Sequence, residues 1–307
     1  VAAIAQLIKL QDYISRYEWD VYRYPSQYIR LKKDQWNKLY SIWENPENEM
    51  EFIESKNEQQ SALSRIKSMF SKKDNHIRET GEEQEEQEIL PETEQELKQY
   101  FLDKLLPFQL KWATSTVTDT SFIDTSYYAD PVLKYFLQRF PDTYLIMYYP
   151  IFSIKNAPVD GEIVIISPIG VEIIYLLEAE EGASIMAGNE RTWLIETSQN
   201  QRKILNPSIA LKRTEKIIQS ILHAEQHDFP IKKTILSRVN PIVFAREPYQ
   251  TKVIGRQQYE TWFQEKRQLD SPLKSYQLKT AEALLKFCRT TSVKRPEWEE
   301  DTDEFGC

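Results

Sequence analysis

The chain has 307 residues, 41% hydrophobic and 28% charged, a globular composition long enough for about two domains, with a net charge of −8. Its two cysteines, Cys288 and Cys307, cannot build a disulfide framework or a four-cysteine zinc site, and its seven glycines form no phosphate loop. No uninterrupted run of about 18 apolar residues occurs, and Gln6 and Lys9 interrupt the first apolar stretch, so a soluble cytoplasmic protein with no membrane partner is expected.

The first segment, residues 1–46, is rich in Tyr and Trp. Leu7, Leu10, Tyr13, Ile14 and Tyr17 fall at helical spacing, and Pro25 breaks that pattern. A second helix is expected from Ser26 through Trp43, presenting Tyr28, Leu31, Trp36, Leu39 and Trp43 to a partner surface. These helices are a candidate docking surface for another protein. Residues 47–93 lose apolar periodicity and enter an acidic run. Between Glu79 and Glu96 there are nine Glu and no Lys or Arg. Like charge with few aromatics cannot bury enough apolar surface to offset chain entropy, so this stretch reads as a solvated linker. The acidic tail, 293–307, reads as solvated for the same reason, and the rest of the chain is net basic.

The main domain is placed at 94–292 and alternates α and β. Asp130 is the N-cap and Pro131 the first position of a helix ending at Pro141. Thr143–Ile154, Val159–Ser167 and Val171–Glu178 read as strands, being short, β-branched or aromatic, and bounded by Pro, Asn or Gly. Asn206 and Pro207 open a helix whose apolar face includes Ile217, Ile218 and Ile221. Strands follow at Ile235–Ala245 and Lys252–Ile254, then helices over Arg256–Leu269 and Pro272–Arg289. His223 and His227 lie one turn apart, but Glu225 between them is displaced from the metalloprotease pattern, so they carry no metal expectation.

The chemistry-bearing stretch is Val159–Glu181. Ser167-Pro168-Ile169-Gly170-Val171 has the form of a three-residue hairpin loop with glycine in its left-handed position. If Ser167 faces Val171, Asp160 lies directly opposite Glu178, with Glu162 and Glu180 on the same face. Two adjacent carboxylates repel unless a cation or proton lies between them. Mg²⁺ or Mn²⁺, held by Asp160 and Glu178, would resolve the repulsion and could activate water for phosphodiester hydrolysis. The same pattern also reads as an acidic hairpin edge that resists aggregation. Arg202, Lys203, Lys212, Arg213 and Lys216 gather before and along the helix after Asn206, where they can track phosphates or form a solvated face.

The run APVDGEIVIISPIGVEIIYLLEAEEG, followed by Trp193, Asn206-Pro207, a basic helix and the strand PIVFA, resembles the nuclease-related domain, a branch of the restriction-endonuclease-like PD-(D/E)xK fold, over residues 127–268. The resemblance implies a mixed sheet flanked by helices, nucleic acid (DNA foremost) as partner, and metal-dependent hydrolysis. In that family an Asp begins one strand and an acid-x-Lys motif ends the next. Asp160 and Glu178 fall on the Asp and the first acid, and Asp130 near an acid at the start of the first helix. Glu180 occupies the lysine position, where it would serve as base or extra ligand, and Ala210 stands where the family carries Gln. Both departures leave a second expectation open: a catalytically degenerate nuclease fold acting as a binding or assembly module.

Overall fold

The computed structural model describes residues 4–45, 90–155, 157–188 and 191–295, and every structural statement below concerns these. In chain order come β1 (Gln6–Leu10), α1 (Arg16–Trp19), α2 (Tyr24–Glu44), α3 (Glu94–Trp112), β2 (Asp119–Thr120), α4 (Pro131–Arg139) and β3 (Leu145–Tyr148). Next are β4 (Ile151–Ile154), β5 (Ala157–Asp160), β6 (Ile163–Ser167), β7 (Gly170–Leu176), β8 (Ser184–Met186), β9 (Thr192–Glu196) and β10 (Gln201–Leu205). The last are α5 (Pro207–Ala224), β11 (Ile231–Leu236), β12 (Ile242–Val243), β13 (Thr251–Ile254), α6 (Arg256–Arg267), α7 (Ser275–Lys286) and β14 (Val293–Lys294).

The chain divides into two compact units, one of residues 1–2 and 27–110, the other of 3–26 and 111–307. In the first, Tyr28 stacks on Phe108 and Trp36 meets the edge of Phe101, so α2 and α3 run antiparallel. The Trp43 indole N–H donates to the Pro91 carbonyl at 2.6 Å. Tyr28, Trp36 and Leu39, expected to face a partner, are therefore buried here. The helix predicted from Ser26 is present and starts two residues earlier. The acidic linker and tail fall almost wholly outside the described residues.

The second unit holds a six-stranded sheet in the order β1-β3-β6-β7-β11-β13. β3–β6 and β6–β7 are antiparallel, whereas β1–β3, β7–β11 and β11–β13 are parallel. β1 corrects the sequence reading, which makes Leu7 to Tyr17 a helix in a separate N-terminal segment. Gln6 to Leu10 are all buried, polar residues included. The Gln6 amide donates to the Asp142 carbonyl at 2.7 Å, and the Lys9 ammonium to the Tyr13 carbonyl at 2.8 Å and to Glu18 at 2.5 Å. Polar residues in the stretch expected to be a helix are thus satisfied inside a buried edge strand. Likewise α3, assigned by sequence to the main domain, lies in the first unit up to Leu110.

Strand alternation shows that helices cover both faces of this sheet. Thr234 Oγ1 donates to Glu172 at 2.6 Å, and Glu172 also accepts from Trp262 and Lys266 of α6. The next residue back, Lys233, points the other way and pairs with Glu215 of α5 at 2.5 Å. α4 and α6 join through Phe140 packed on Trp262 and Phe263. Between β3 and β6 the chain makes the two-stranded ribbon β4–β5, and between β7 and α5 most of a second sheet, β10-β9-β8-β12. The predicted strand Thr143–Ile154 is broken at Tyr149-Pro150, and Ile235–Ala245 is broken before Ile242, where the chain leaves the main sheet for the second.

Candidate functional site

The hairpin is tighter than the sequence reading places it. Ser167 pairs with Gly170, leaving the two-residue turn Pro168-Ile169, and Ile163 pairs with Ile174. Gly170 is therefore a ladder residue. The Pro230 carbonyl stands 2.8 Å from where a Cβ would be, and accepts from the Val171 N–H, so glycine is used for close approach rather than for the turn. A shift of one residue moves every side chain to the other face. Continued one step, the ladder puts Glu162 opposite Tyr175 instead of Asp160 opposite Glu178.

Asp160 ends the β4–β5 ribbon, paired with Ile151. Gly161 makes the step into β6, and a Cβ there would come within 2.8 Å of the Phe152 ring and 3.0 Å of the Pro150 carbonyl. The step brings Asp160 and Glu162 to one cleft of about 470 Å³, lined also by Gln11, Tyr149, Ile151, Gly161, Tyr175 and Leu176. Two of these residues, Gln11 and Tyr149, hold left-handed backbone with φ of 44° and 47°. Such strain in non-glycine residues clusters at working sites.

Glu162 is the electrostatic centre of the cleft. Its backbone N–H donates to Thr214 Oγ1 of α5, and its carboxylate meets the half-exposed Arg213 guanidinium at a loose 3.8 Å. Burial raises its pKa, Arg213 opposes the rise, and the neighbouring Asp160 charge adds to it. Burial and then Glu162 raise Tyr175 and push Tyr149 up to about 12. A carboxyl whose pKa is raised thus shares the cleft with two phenols whose ionisation is disfavoured.

The other candidates lie elsewhere. Glu178 does not line this cleft; it accepts from Arg238 at Nε (2.6 Å), the second guanidinium nitrogen (2.7 Å) and the backbone N–H (3.1 Å). Burial alone would raise it, but these bonds hold it below the ordinary carboxylate range. Arg238 also lies over the Tyr135 ring. Glu180 is exposed, and what is bonded is its carbonyl, which accepts from Asn240 Nδ2. Asp130 caps α4 through the Val132 and Leu133 N–H groups, as expected, and also accepts from the Tyr148 hydroxyl at 2.8 Å. Among the described residues no group of three or more His, Cys, Asp or Glu could hold a metal ion. Asp160 lines the cleft while Glu178 is bonded to Arg238 outside it, so the cleft does not bring together the two carboxylates expected to hold Mg²⁺ or Mn²⁺.

Of the basic residues, Arg213 reaches the cleft through Glu162, whereas Arg202, Lys203, Lys212 and Lys216 are exposed on β10 and α5. His227 is buried between Phe229 and Tyr276 and bonds Thr280, a core role. Sequence reasoning missed Tyr149, Tyr175, Gln11 and Arg238, and ranked Glu162 below Asp160. Gly161 next to two acids was the available signal for the step that builds the cleft.

No family model matches the chain, and no solved structure matches it. Over 41 residues it is 56% identical to a protein named RNA 2',3'-cyclic phosphodiesterase from Geobacillus stearothermophilus. That stretch is 13% of this chain and 13% of that protein, so the chain spans only a small part of the relative.

Proposed function

We propose that the second unit is a restriction-endonuclease-like domain, akin to the nuclease-related domains, that has lost metal-dependent hydrolysis and works as a nucleic-acid-binding module. The order α4-β3-β6-β7-α5-β11, with two antiparallel pairings followed by a parallel one, supports the fold reading. The observation that carries the loss of chemistry is the register. Asp160 pairs with Ile151 in the β4–β5 ribbon rather than with Glu178, and Glu178 is ion-paired with Arg238. What remains is a cleft with two neighbouring acids, Asp160 and Glu162, two tyrosines and a basic helix beside it. Such a surface can hold a strand by phosphate contacts and by stacking.

The test pairs binding with cleavage. Single-stranded DNA, duplex DNA and RNA are incubated with the full chain and Mg²⁺ or Mn²⁺, and affinity is followed by fluorescence anisotropy. Binding that weakens with salt, and falls at least five-fold in an Arg202→Glu, Lys203→Glu, Arg213→Glu variant, is expected without cleavage. Metal-dependent cleavage abolished by Asp160→Ala or Glu162→Ala would overturn the reading. It would favour the second one, phosphodiester hydrolysis, which the 41-residue likeness to a protein named a cyclic phosphodiesterase recommends.

A further inference from the structure

A second cleft, of about 630 Å³, opens at the start of α5 and is lined by Ala187, Gly188, Trp193, Asn206, Ser208, Ile209, Lys212, Ala245, Arg246, Pro248 and Tyr249. It shares no lining residue with the Glu162 cleft. Ser208 and Lys212 lie one turn apart on the same helix face, and Arg246 comes from the loop after β12. Among the described residues neither Lys212 nor Arg246 has a carboxylate within 4 Å, and the adjacent Glu247 is turned to the Val253 N–H. Two cations from separate segments, without a carboxylate partner among the described residues, therefore line one concavity.

The helix start narrows the ligand. Pro207 has no N–H, the Ser208 N–H is taken by the Asn206 side chain, and the Ile209 N–H by the Asn206 carbonyl. The backbone donors of the first turn are spent, so an anion must be read by side chains, with the dipole of an 18-residue helix behind them. Ser208 is only 3% exposed, and its hydroxyl has no hydrogen-bond partner. An unpaired buried hydroxyl is costly unless something completes it. At the rim, Tyr249 is 75% and Ile209 42% exposed, an apolar surface beside the cations.

We propose that this cleft binds the phosphate of a nucleotide, free or at the end of a strand. Lys212 and Arg246 clamp the phosphate, the Ser208 hydroxyl rotates to donate to it, and Tyr249 stacks on the base. The inference goes beyond the binding module above, because it holds for a mononucleotide even if no strand is bound.

The full chain is titrated calorimetrically with AMP, adenosine, and a short oligonucleotide with either a 5′-phosphate or a 5′-hydroxyl. AMP should bind at least ten-fold more tightly than adenosine, and Arg246→Ala should remove most of that preference while Arg246→Lys restores part of it. Ser208→Ala should weaken AMP several-fold yet raise the melting temperature of the free protein, which a merely structural serine would not do. A phosphorylated oligonucleotide preferred over both its hydroxyl form and AMP would identify a strand end; equal affinity for AMP would identify the free nucleotide. AMP and adenosine binding alike, no AMP binding, or an Arg246→Ala protein with wild-type AMP affinity would overturn the proposal. Oligonucleotide binding that persists after such a failure would leave the module reading standing.

Discussion

Glu162 and Glu178 stand at the same end of two adjacent strands, one just before β6 and one just after β7, and their surroundings treat them in opposite ways. Glu178 receives three hydrogen bonds from Arg238 and is held below the ordinary carboxylate range despite burial that alone would raise it. Glu162, less exposed, has a guanidinium at 3.8 Å and a like charge nearby, and its pKa moves up. The paired carboxylate stabilises a loop. The poorly paired one is a local loss of stability that the fold tolerates, in a cleft whose backbone is strained at Gln11 and Tyr149. Perturbed carboxyls of that kind mark working sites more often than scaffolding does.

The difference depends first on the loop that carries Glu178, and Asn240 governs it. This fully buried amide accepts from the Ala179 N–H and donates to the carbonyls of Glu180 and Ala183. Asn240→Ala should cost about 3 kcal/mol, since three bonds go and buried backbone groups are left unpaired. Urea unfolding measures it, and a loss below about 1 kcal/mol would show that the loop is held by something else.

Removing the ion pair itself should have a smaller effect. Arg238→Ala should destabilise by about 2 kcal/mol at pH 7, both side chains being roughly one-fifth exposed. Because the folded pKa of Glu178 is lowered, its contribution is present above the ordinary carboxylate value and lost as pH falls through the folded one. The gap between wild type and variant should therefore close in acid. A gap independent of pH would mean that Arg238 acts by packing on Tyr135 instead.

Much of this architecture could be read from local signals. Asp130-Pro131 and Asn206-Pro207 announce α4 and α5 because an N-cap followed by proline has few other uses. β1 could not be read that way, because its polar residues are satisfied by groups distant in sequence, such as the Asp142 carbonyl. The site failed on a single residue of register. Gly170 fits both a left-handed turn and a crowded ladder, and the decisive neighbour, the Pro230 carbonyl, lies sixty residues away. Arg238 was unreadable for the same reason, being brought to Glu178 only by the β7–β11 pairing.

The smallest expected effect is the most diagnostic. Glu162→Gln keeps the shape of the side chain and removes its charge. A carboxyl whose folded pKa is raised contributes fully below its ordinary value and loses that contribution as pH rises through the folded one. At neutral pH the wild type therefore carries a penalty, and the glutamine variant should be more stable by up to about 1 kcal/mol, an advantage that disappears in acid. Tyr149, held up to about 12 by burial and then by Glu162, should ionise at lower pH in the variant, as followed by its ultraviolet absorbance. A variant less stable than wild type at neutral pH, with tyrosine titration unmoved, would mean that Arg213 pairs with Glu162 as firmly as Arg238 does with Glu178, and both carboxylates would then be structural.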